Sequence, residues 1–129
     1  MKKFTSILLV VVSCFILSGC VSAGATENTI VTLGSSVHFS ETDLQAAADA
    51  VKEKFKDFKD CELTELWYDE VAALTQSDGN LEKIILFSNF KTGPNVEQTM
   101  NADSVYKNYI WFVAKDGTTG EWYVVSWGY

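Results

Sequence analysis

Ser40-Glu41-Thr42-Asp43-Leu44-Gln45-Ala46-Ala47-Ala48-Asp49-Ala50-Val51-Lys52-Glu53-Lys54-Phe55-Lys56-Asp57-Phe58 is the stretch that decides the fold. Ser40 can cap a helix, and Asp43 three residues on is a serviceable variant of the capping box. Apolar residues then fall at Leu44, Ala47, Ala48, Val51, Phe55 and Phe58, at intervals of 3, 1, 3, 4 and 3. That is the helical repeat, and it draws a single stripe. Gln45, Asp49, Lys52, Glu53, Lys56 and Asp57 make the opposite, solvated face. No proline interrupts, so the spacing predicts a helix of about 17 residues. Such a stripe has to be covered, and the residues downstream read as a sheet.

Cys61 to Asp69 alternates imperfectly, its apolar parity changing between Leu63 and Leu66, which a bulge near Glu65 would explain. Glu70 to Leu74 reads as a helical turn, and Thr75 to Asn80 as a turn by composition. Ile84-Ile85-Leu86-Phe87 is apolar on both parities and so belongs in a strand covered on both faces. Phe90 to Ala102 reads as a long surface loop. Tyr109 to Val113 and Trp122 to Trp127 are further strands, joined through a hairpin loop over Lys115 to Gly120. The fold class expected is therefore α+β, one amphipathic helix packed on a curled antiparallel sheet of three to five strands. Upstream, Ile30-Val31-Thr32-Leu33 can add a short edge strand. Val21 to Thr29 is small and polar and reads as a flexible tether.

The amino-terminal end carries a different signal. Met1-Lys2-Lys3 is cationic, and Phe4 to Leu17 is apolar apart from Thr5, Ser6 and Ser13, a charged start and hydrophobic run of secretory type. The run is short for a permanent span, which needs roughly 20 apolar residues. Leu17-Ser18-Gly19-Cys20 resembles the lipobox of bacterial lipoproteins. The resemblance implies a diacylglycerol thioether on the Cys20 sulfur and cleavage between Gly19 and Cys20. Two acyl chains suffice for stable anchoring. The alternative is an ordinary secretory signal with a coincidental cysteine. The organisation expected is a signal peptide over 1–19, a lipid anchor and tether over 20–36, and one domain over 37–129. The lipid on Cys20 would hold that domain on the extracytoplasmic face of the cell membrane. Val21 is not the aspartate that retains lipoproteins in an inner membrane, and the choice of membrane stays open.

Composition narrows the partners. Removing residues 1–19 takes away Lys2 and Lys3 but no acid, so the formal charge of −7 becomes −9. A chain so acidic and without arginine repels nucleic acid and has no bidentate phosphate fork. Cys61 would be the one cysteine left free, a small buried hydrophobe whose neighbours Asp60 and Glu62 oppose a thiolate.

Catalytic patterns are sparse. His38 is the single histidine, which excludes sites built on two or three histidines and leaves a Ser-His-Asp triad poorly supplied. No phosphate loop or dinucleotide fingerprint occurs, so no cofactor is expected. Glu62, Glu65, Asp69 and Glu70 could in principle pair for glycoside cleavage or calcium, but they lack calcium-loop spacing and read as a water-facing strand.

Aromatic residues are the surplus. With strand alternation, Trp122 and Val124 share one face, and Tyr123, Val125, Trp127 and Tyr129 the other. Rings on both faces mean either cross-strand pairing inside the fold or an aromatic platform for a ligand. Trp67, Trp111, Trp122, Tyr123, Trp127 and Tyr129 are the candidate ligand-binding residues, for a cell-wall saccharide, a peptide or an envelope protein. Leu63 to Glu70, Tyr106-Lys107-Asn108-Tyr109 and Trp122 to Tyr129 resemble a family of small exported domains from gut Firmicutes, and the order of elements resembles the cystatin or NTF2-like type. These motifs are aromatic and structural, and they carry over no catalytic residue. The function expected is non-catalytic binding. The alternatives are a small NTF2-like enzyme with a pocket in the concave sheet and, on fold analogy alone, a protease-inhibitor-like domain.

Overall fold

The computed structural model describes residues 22–77 and 81–129. The leader with Cys20, and Asp78 to Asn80 of the expected turn, lie outside the described residues. The elements run β1 (Ile30–Thr32), α1 (Glu41–Phe55), β2 (Cys61–Trp67), α2 (Glu70–Gln76), β3 (Lys83–Thr92), β4 (Val105–Lys115) and β5 (Trp122–Gly128). The strands form one sheet in the order β1-β2-β3-β4-β5. Neighbours from β2 to β5 are antiparallel, whereas β1 joins β2 in parallel. The domain is thus α+β, with α1 laid across one face of the sheet.

Ser40 caps α1 as expected, its hydroxyl accepting from the Asp43 amide at 3.1 Å. All five stripe residues from Leu44 to Phe55 are fully buried. The helix closes at Phe55, three residues short of the stripe, yet Phe58 remains buried. Lys56, Asp57 and Phe58 each donate to a carbonyl three residues back, tightening the last turn so that Phe58 stays on the stripe.

The inner core gathers α1 with Leu63 and Leu66 of β2, Ile84, Leu86 and Phe90 of β3, and Trp111 and Val113 of β4. Behind the sheet, Ala73 of α2 covers Ile85, Phe87 and Ile110, with Trp67 stacked on Phe87 at 6.2 Å. This is the double cover that Ile84 to Phe87 requires. Asp69 caps α2 by accepting from the Ala72 amide.

Two expectations are corrected. Phe90, Lys91 and Thr92 continue β3 instead of opening a loop, because Phe90 is wholly buried beneath Phe55 and Tyr106. The segment expected as a free tether is docked. The Asp60 amide donates to Ser22 O, Gly24 N to Lys56 O, Ala25 N to Cys61 O, and Leu63 N to Ala25 O, all at 2.9–3.0 Å. Ile30, Val31 and Thr32 then pair with Glu65, Leu66 and Trp67. Backbone groups do the holding, which is why a composition poor in large apolar side chains gave no sign of it.

Candidate functional site

Three bulges decide where the rings go. In β2 the pairing passes from Leu63–Phe90 to Glu65–Asn89, leaving Thr64 as the extra residue. That is the parity change expected near Glu65, and it keeps Leu63 and Leu66 both facing inward. In β4, Tyr109 pairs with Ser88 and Tyr106 with Phe90, so two residues intervene where β3 has one. Asn108 takes a left-handed conformation there (φ 58°), and its amide donates to Asn89 Oδ1 at 3.0 Å. Tyr106 and Tyr109, three apart, consequently share the inner face. In β5, Val113 pairs with Val124 but Phe112 with Ser126, so Val125 is the added residue.

The β5 bulge overturns the expected facing of Trp127 and Tyr129. Simple alternation puts them beside Tyr123. The added residue turns them to the α1 side, where Trp127 meets Phe58 at 6.0 Å and Trp111 at 6.1 Å, and Tyr129 meets Tyr109 at 5.3 Å. Lys54 of α1 sits over the Trp127 ring, its ammonium 5.1 Å from the centroid.

These residues line a cleft of about 550 Å³ at one end of the inner face. Its aromatic wall is Tyr106, Tyr109, Trp127 and Tyr129, with Phe58 beneath; Lys54, Asp57 and Lys59 stand on the α1 side, and Val96, Glu97 and Met100 come from the loop after β3. Tyr106 accepts from the Asn101 amide at 2.9 Å, which ties that loop to the wall. Burial, followed by the neighbouring Tyr129 and Tyr106, pushes the Tyr109 phenol above its ordinary value, so it enters the cleft as a neutral donor. Lys54 pairs with Asp57 at 3.3 Å.

Cys61 also borders the cleft and is buried, as expected. Burial above all, then Asp60 and Glu97, pushes its thiol up to about 11, so it stays protonated at neutral pH.

The candidate residues divide. Trp127 and Tyr129 are in the cleft and exposed at 41 % and 76 %. Trp111 is wholly buried, its indole N–H donating to Ser88 Oγ at 2.7 Å, and it offers no surface to a ligand. Trp122 is half-buried beneath Phe39 and donates to Asp43 Oδ1 at 3.3 Å. Trp67 belongs to the outer cluster and Tyr123 lies exposed on the outer face, so neither joins the cleft. Tyr106, Tyr109, Lys54 and Lys59 are cleft residues that are not among the ligand-binding candidates, the two tyrosines figuring in the sequence reading only within a structural motif. The Lys107-Asn108 pair between two tyrosines is the one sign that could have found the first two.

The acids do not converge. Glu65 accepts from Asn89 Nδ2, Asp69 caps α2, and Glu70 is held by the Ser36 hydroxyl and the Val37 amide, with Ser36 foremost in keeping its carboxyl below the ordinary range. His38 is exposed on the connection before α1. Among the described residues, no cluster of three or more His, Cys, Asp or Glu is placed to hold a metal, and no helix is long and apolar enough to cross a membrane.

The chain matches no family model, no curated protein and no solved structure.

Proposed function

We propose that this chain is a lipoprotein of the bacterial cell envelope, held on the extracytoplasmic face by a lipid on Cys20, and that its domain binds a cell-wall saccharide or saccharide-peptide without transforming it. The observation that carries the binding reading is the cleft wall of Tyr106, Tyr109, Trp127 and Tyr129. Open ring faces stack on the apolar faces of sugars, and phenol groups at their edges supply hydrogen bonds. Lys54 and Lys59 on one side, and Asp57 and Glu97 nearby, suit the mixed charges of a peptide branch. The protonated Cys61 thiol is a weak nucleophile, which favours binding over covalent catalysis. A net charge of −9 after leader removal weighs against a nucleic-acid partner.

The test is titration with soluble peptidoglycan fragments, read by intrinsic fluorescence, because Trp127 is in the cleft and exposed. A saturable change in the wild type that Trp127→Ala abolishes is the expected result. A flat response to glycan and glycopeptide fragments alike would count against the proposal.

A further inference from the structure

The amino-terminal segment leaves very little chain between the anchor and the folded domain. Ser22 O accepts from the Asp60 amide at 2.9 Å, and Gly24 N donates to Lys56 O at 3.0 Å. Gly24 is packed so closely that a Cβ there would fall 1.9 Å from Phe55 O. Only Val21 lies between Cys20 and Ser22, and extended chain spans at most ~3.6 Å per residue, so two chain steps would hold a lipidated Cys20 within about 7 Å of a fixed point on the domain. With a lipid on Cys20, the first docked residue would lie close to the lipid surface.

The turn that receives it, Lys56 to Cys61, also borders the aromatic cleft, since Asp57, Phe58, Lys59 and Cys61 are cleft residues. Trp127 packs on Phe58 of that turn, and Lys54 lies over Trp127. Trp127 and Tyr129 are exposed rings, and Lys59 is an exposed lysine with a long apolar stem. Tryptophan, tyrosine and lysine are the residues that settle at the boundary between headgroups and acyl chains, ring or stem inward and polar tip outward.

We infer that this end of the domain is seated on the bilayer that carries the Cys20 lipid, with Trp127, Tyr129 and Lys59 in the headgroup layer. The inference rests on the proposed lipid anchor. Seated so, the cleft opens at the membrane surface, with Trp127 and Tyr129 at its membrane-side rim.

The full acylated chain in phosphatidylcholine–phosphatidylglycerol vesicles provides the test, with a fraction of the lipids brominated near the headgroup and Cys20 acylation checked by mass spectrometry. The wild type loses roughly a quarter of its tryptophan emission, the share of one ring in four, and Trp127→Phe loses almost none. Absence of quenching in acylated protein overturns the seating while leaving the anchor and the cleft intact. Equal quenching in both forms overturns it too, since another face would be making the contact. A chain that carries no acyl group and stays off the vesicles removes the anchor, and the seating falls with it.

Discussion

The two faces of the sheet use the same kinds of residue to different ends. On the inner face, Phe55, Phe58, Phe90 and Trp111 close around one another with ring centroids 5.1–6.3 Å apart, and no buried polar side-chain atom among the described residues lacks a partner. On the outer face, α2 covers Ile85, Phe87 and Ile110, while Tyr123 and Val125 of β5 face water. A surplus of rings is thus not itself a site. A ring becomes available for binding only where the cover ends, and on the inner face that happens beyond Phe58, at the cleft.

Substitutions can break this contrast or sharpen it. Trp111→Ala removes the largest buried side chain and the indole N–H that Ser88 Oγ accepts, leaving that hydroxyl only its bond to Tyr109 O, and the expected cost is about 3–5 kcal/mol, measured by denaturant unfolding. Gly24→Ala asks whether the amino-terminal segment is part of the inner packing. The added methyl meets Phe55 O, and a loss of roughly 1–3 kcal/mol should appear, with faster amide exchange at Ala25 and Leu63. An unchanged stability would make that segment a loose passenger.

Alkaline pH separates the inner face more finely. The Cys61 thiol moves from an ordinary 9.0 to about 11 on folding, burial being the main cause. Between those values the folded chain keeps a proton that the unfolded chain has lost, so stability falls as pH rises through the interval. Cys61→Ala should flatten that part of the stability profile relative to wild type. The smallest effect belongs to the outer face. Tyr123→Ser is expected to shift stability by no more than about 0.5 kcal/mol and to leave the fragment titration unchanged.

The helix was legible because one stripe and one cap agree, and Ile84 to Phe87 announced cover on both faces through unbroken apolarity. The β2 bulge was legible for a related reason: a parity change between Leu63 and Leu66 leaves a mark in the pattern. At Val125 no such mark exists, since Tyr123, Val125 and Trp127 are apolar on either assignment. Register there depends on pairing with β4, and so the facing of Trp127 and Tyr129, and with it the cleft, was hidden. The docked segment from Ser22 onward was hidden differently. Its attachment is made by peptide groups, which every sequence possesses.

Asp60 joins three lengths of backbone. Its amide holds Ser22, its carbonyl receives the Gly93 amide at 2.7 Å, and its carboxylate receives the Asn95 amide at 2.7 Å. Its left-handed turn, at φ 57°, is one that aspartate tolerates better than most residues. Traction applied to the amino-terminal end passes through this knot before it loads the strands. The loop that forms the cleft's far lip is thus coupled, through one residue, to the end of the chain that a pull from outside would load.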